Sequence, residues 1–110
     1  MSIRVLDCTL RDGGYINDWR FGRDTIAAIL QKLAQAQVDI VECGFLTGMF
    51  HDPKSALFPT PASIEALLPT GQHRTMFVAM IAIGEKELHP DSLPPCRDSG
   101  IGGIRLTFHK

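Results

Sequence analysis

Four short apolar runs, beginning near residues 3, 38, 76 and 103, alternate with stretches whose apolar residues repeat at helical spacing, and no other feature limits the fold as much. Strand, helix and strand in turn call for a parallel sheet, because a crossover helix is the usual way to lay consecutive strands side by side in one direction. Strand one is expected over about residues 3 to 8, where Ile3, Val5 and Leu6 are the branched residues. The next element is a helix from about Arg23 to Gln37, with Ile26, Ile29, Leu30, Leu33 and Ala34 on one face. Strand two, Val38 to Cys43, is nearly all apolar until Glu42, as suits a parallel strand covered on both sides. Thr60 caps the second helix and Pro61 opens it; Ile64, Leu67 and Leu68 form its buried stripe, and Pro69 ends it. Strand three is Met76 to Ile81. Pro90, Pro94 and Pro95 then leave room for only a short or broken helix before strand four at residues 103 to 108.

Right-handed crossovers bring the carboxyl ends of the four strands to one edge, so Arg11, Asp12, Glu42, Gly44 and His109 are expected to gather there. Arg11 and Asp12 precede Gly13-Gly14, which open backbone angles closed to other residues. A carboxylate in that position can hold a divalent cation, and an arginine can meet an oxyanion. The plainer alternative is an ion pair that pins the turn. Glu42 stands in an otherwise apolar segment, and a charge there must be paired.

The run LDCTLRDGGYINDW at residues 6 to 19, followed by VECGF at residues 41 to 45, resembles the N-terminal part of the metal-dependent aldolase and lyase superfamily. That superfamily includes 4-hydroxy-2-oxovalerate aldolase, hydroxymethylglutaryl-CoA lyase and the isopropylmalate synthases. The resemblance implies a (β/α)8 barrel with one divalent metal, manganese or magnesium foremost and zinc permitted, and makes Asp12 a metal ligand. It places Arg11 against the oxygen of a 2-oxo acid or thioester as that oxygen becomes an enolate. It makes Glu42 a polar active-site residue near the metal-bound water or the substrate, the alternative being a structural partner for an arginine. Two further ligands in the family come from a His-x-His pair on a late strand, whereas His51, His73, His89 and His109 here are widely separated. A complete barrel needs about 250 residues. The expectation is therefore strands one to four of a TIM barrel, residues 1 to 110 being its N-terminal half, inactive alone and prone to self-association, with a homo-oligomeric parent.

The implied reaction is aldol cleavage of a 4-hydroxy-2-oxo acid to pyruvate and an aldehyde, or its reverse; a Claisen-type acyl-CoA condensation is the alternative within the superfamily. A non-catalytic flavodoxin-like α/β binding module, with Arg11 and Asp12 as a structural pair, is the alternative from another class. The chain departs from its relatives after the Arg-Asp-Gly turn, where the hydroxyoxovalerate aldolases have a histidine and the Claisen-type synthases a glutamine. Here Gly14-Tyr15 follows. Tyr15 can act as acid or base only if a metal's field lowers its pKa from near 10, and its more ordinary role is to pack its ring and hydrogen-bond its hydroxyl.

Residues 45 to 59 form a long loop with Leu46, Met49, Phe50, Leu57 and Phe58, expected to be a lid or substrate wall, or else to be buried against its surroundings. His51 and Asp52 within it lack a third ligand at suitable spacing. The glycines of residues 13–14 and 100–103 lack the spacing of a dinucleotide fingerprint. Eleven basic against twelve acidic side chains, without a basic cluster, argue against nucleic acid. No apolar run reaches the roughly 20 residues of a membrane span, and no secretion signal opens the chain, so a cytoplasmic protein is expected. Cys8, Cys43 and Cys96, without a C-x-x-C pair, read as reduced thiols used as small apolar residues.

Overall fold

The apolar runs become strands of one parallel sheet in the computed structural model, which describes residues 2–47, 52, 54–83 and 93–108. The strands are β1 (Leu6–Asp7), β2 (Ile40–Leu46), β3 (Leu57–Phe58), β4 (Met76–Ala82) and β5 (Gly103–Thr107). The helices are α1 (Thr9–Asp12), α2 (Gly14–Asn17), α3 (Arg23–Gln35) and α4 (Pro61–Glu65), with one 3-10 turn at Cys96–Asp98. The order β1-β2-β4-β5 follows the chain, and every pairing is parallel. Strand β3 lies on the β1 side of β2, because Phe45 has Leu57 on one flank and Met80 on the other. The fold is thus α/β, as the alternation requires.

The two faces of this sheet differ. Val41 and Cys43 of β2 and Phe77, Ala79 and Ile81 of β4 meet Ile26, Leu30 and Ala34 of α3 and Ile64 of α4 in one core. The α3 side chains recur every four residues, which is why one stripe of that helix is buried. The opposite face carries Glu42, Val78, Met80 and Arg105, set side by side by the register that matches Glu42 with Val78 and Met80 with Arg105. None of these four belongs to the helix-covered core. No helix among the described residues is long and apolar enough to cross a membrane.

Several boundaries differ from those expected. β1 covers only Leu6–Asp7, and Ile3 and Val5 are exposed. β2 continues past Cys43 to Leu46, so Glu42 and Gly44 lie inside the strand and not at its end. α4 stops at Glu65; its cap is as read, Thr60 accepting from the Ser63 amide and Pro61 in the first turn, but Leu67 is buried from the turn that follows. The long loop yields a strand: Leu46, Ala56 and Phe58 are buried in the core, so Leu46 and Phe58 are not lid residues. Met49, Phe50, His51, His89, Pro90 and His109 lie outside the described residues.

The glycine pair also acts otherwise than expected. Gly13 is right-handed helical, with φ −64° and ψ −19°, and neither Gly13 nor Gly14 has a positive φ. What they supply is room. A Cβ on Gly13 would collide with the Thr9 carbonyl, and one on Gly14 would fall within the Trp19 indole. Gly14→Ala is therefore expected to cost about 2 kcal/mol in urea unfolding, as overpacking does. In a Trp19→Leu background the same change should cost much less, and an equal cost in the two backgrounds would show that the indole is not the obstacle.

Candidate functional site

The motif builds its own platform directly after β1. Asp7 accepts from the Thr9 amide and hydroxyl, both at 3.0 Å, and so turns the chain out of the strand into α1. That turn lifts Arg11 over the sheet face that carries Glu42. Arg11 Nε donates to Glu42 Oε1 at 2.5 Å, and Arg11 Nη1 meets Asp12 Oδ1 at 3.1 Å. From the other side, Arg105 Nη1 donates to Glu42 Oε2 at 2.8 Å. Glu42 is fully buried, and each of its oxygens is held by a different arginine. Charge-assisted hydrogen bonds of this kind are what make such a burial tolerable.

Electrostatics follow from this packing. Burial works against the charge on Arg11, but the hydrogen bond and charge of Glu42, supported by Cys8 and Asp12, outweigh it and raise the pKa above the ordinary arginine value. Arg11 is thus a permanent cation with a fixed direction. Burial, followed by the nearby Glu42 charge, pushes the Cys43 thiol up from 9.0 to about 12. This thiol faces the helices and plays no part in the cluster. Iodoacetamide at pH 8 should therefore label exposed Cys96 long before Cys43, as peptide mass spectrometry can check. Because the folded pKa is the higher one, stability from the neutral thiol is complete below pH 9 and is lost as the pH climbs toward 12.

Trp19, the single tryptophan of the chain, locks the platform. Its Nε1 donates to the Arg11 carbonyl at 2.6 Å, and its own carbonyl accepts from the Ala56 amide at 2.8 Å. Its ring meets Tyr15 edge-on at 4.8 Å and Phe45 at 5.5 Å. Asp18 and Trp19 both have positive φ, 56° and 60°, a conformation that aspartate tolerates and that a residue as bulky as tryptophan takes only when its surroundings hold it there.

Of the expected residues, Arg11, Asp12 and Glu42 come together. Asp12 is mostly exposed, with Arg11 on one oxygen and no partner for the other among the described residues. Tyr15 packs its ring on Trp19, is 66 % exposed, and has no hydrogen bond to the cluster. Asp52 accepts from the Lys54 amide and pairs with Arg20 at 3.6 Å, which makes it a turn former. Among the described residues no three His, Cys, Asp or Glu side chains stand as a metal ion would require, so Asp12 fits one position of a cation site and does not complete it.

Sequence reasoning missed Arg105 and Trp19. For Arg105 the signal was available: alternation within Ile104-Arg105-Leu106 sets the arginine on the face opposite its apolar neighbours, and Glu42 needed a cation. Two surface hollows, one beside Pro61, Cys96 and Ile101 and one beside Gln37, His73 and Arg74, lie toward the amino ends of the strands and exclude the cluster. Comparison with protein-family models, curated proteins and solved structures found no match for this chain.

Proposed function

We propose that the chain supplies the first four barrel strands of a metal-dependent carbon-carbon lyase that cleaves a 4-hydroxy-2-oxo acid to pyruvate and an aldehyde. The observation that carries this reading is the order β1-β2-β4-β5, which runs with the sequence apart from the two-residue β3 and has Arg11 and Asp12 just past β1. A flavodoxin-like module would show the order 2-1-3-4-5, with its reversal beside the first strand. Sequential order with α3 and α4 on one face is what a closing barrel needs.

In this reading the carbon-carbon bond breaks as the 4-hydroxyl loses its proton, the aldehyde leaves, and the electron pair enters the enolate of pyruvate. Arg11, aimed by Glu42, faces the enolate oxygen and favours the charge that develops there. Tyr15 is the candidate for the proton, and Asp12 would be one ligand of a divalent cation that polarises the 2-oxo group. A Claisen-type condensation draws on the same contact, and acyl-CoA offered in place of the aldehyde separates the two. A His-x-His pair at a later strand end in the same reading frame would supply the remaining ligands.

Asp12→Asn should leave the fold intact and lower Mn2+ affinity at least about tenfold by electron paramagnetic resonance, since a hard cation loses its anionic oxygen. Equal affinity in the two proteins would remove Asp12 from the metal site. The same reading expects the 110-residue chain to self-associate, because Ile104, Leu106 and Phe108 are exposed at the β5 edge and Ile3 and Val5 before β1. Light scattering that finds only monomer at micromolar concentration would count against a half-barrel.

A further inference from the structure

We propose that Arg105 is the carboxylate-binding arm of this site, taking the carboxylate of a 2-oxo acid while Arg11 faces the 2-oxo oxygen. The choice of a 2-oxo acid rests on the preceding reading; the anion site itself rests on geometry. One cation is enough to neutralise Glu42, and Arg11, with only 16 % of its side chain exposed, already provides it. A second guanidinium on the same carboxylate adds repulsion between the arginines and leaves one positive charge in excess. Asp12 brings the count to two cations and two anions, but it does so from solvent and beside Arg11. Arg105 has no acidic partner but the shared Glu42 among the described residues, so its charge is the less closely matched of the two.

The shape of the group fits the same conclusion. Arg105 uses Nη1 on Glu42 and keeps its other donors unengaged among the described residues, with 43 % of the side chain open to solvent. A guanidinium engaged only at Nη1 keeps its other N–H donors for a second anion, which suits two-point binding of a carboxylate. Val78 and Met80, buried on the same face, are apolar neighbours that lower the local polarity and so strengthen the contact. Glu42 thus sets two arginines at a fixed separation, one for each oxygen-bearing carbon of the ligand.

Isothermal titration of the 110-residue chain with pyruvate, acetate and inorganic phosphate tests this. Pyruvate should bind saturably, at least about tenfold more tightly than acetate, and should lose about tenfold or more in Arg105→Gln, the worth of a charge-assisted hydrogen bond. Arg105→Lys, which keeps a cation beside Glu42, should fold even if the glutamine variant does not, and should still bind several-fold more weakly. On the unaltered chain, pyruvate should protect Arg105 from phenylglyoxal, as read by mass spectrometry. Unchanged affinity in the lysine variant, absent protection, no saturable binding, or phosphate binding as well as pyruvate would each overturn the proposal. The Mn2+ titration of Asp12→Asn reports separately on the metal-dependent lyase, so either reading can fail while the other stands.

Discussion

Glu42→Gln should unfold in urea with a stability about 3 kcal/mol below that of the unaltered chain, the loss seen when one partner of a buried ion pair is removed. Glutamine has nearly the shape of glutamate, so the expected loss is electrostatic and not a cavity. Its amide presents one acceptor oxygen where two arginines now find two, and its NH2 group would turn a donor toward a donor. Both guanidinium groups would also face each other without the anion between them. Arg105 can escape toward solvent, being 43 % exposed, whereas Arg11 is held by its short helix and the Trp19 bond. Arg105→Met should accordingly cost only about 1 kcal/mol, because Glu42 keeps its better-buried cation. A glutamine variant within about 0.5 kcal/mol of the parent would mean that the three charges do not organise this face.

Arg11→Lys should lower kcat for pyruvate release about a hundredfold, in a protein that contains the whole proposed barrel, with KM changing less than about threefold. Arg11 makes two contacts in two directions, Nε to Glu42 and Nη1 to Asp12, and its plane is set by both. An ammonium can replace one contact but cannot keep the plane. The charge on an enolate oxygen is largest in the transition state, so a misdirected donor is felt most in kcat. A change confined to KM would mean that the arginine only binds substrate.

Periodicity revealed the parallel sheet, the α3 face and the Thr60 cap, because each follows from local spacing. It failed where the chain doubles back. Leu46, Leu57 and Phe58 read as loop residues since β3 has two residues and exists only through its pairing with β2. The meeting of Arg11, Asp12 and Glu42 was legible once the strands were taken as parallel, but the expected end of β2 was three residues early. Gly44 explains the error: it looks like a terminator, yet it serves inside a bulged strand, at φ +150°, where the Ala56 carbonyl leaves no space for a Cβ. Gly13-Gly14 misled in the same manner, since the sequence shows a missing side chain without showing what occupies its place. The Thr9 carbonyl occupies it at Gly13 and Trp19 at Gly14, and the left-handed backbone angles of Asp18 and Trp19 carry no marker that a pattern of apolar residues could expose.

Trp19 has an optical consequence. The protein carries one indole, and that indole donates to the main-chain carbonyl of Arg11. Excited at wavelengths that Tyr15 does not absorb, its emission therefore comes from a single place beside the chemistry proposed here. A molecule that settles beside Arg11 changes the charge and water around the neighbouring indole, and the colour and intensity of the emitted light should change with it. The chain carries its own label for whatever enters the site.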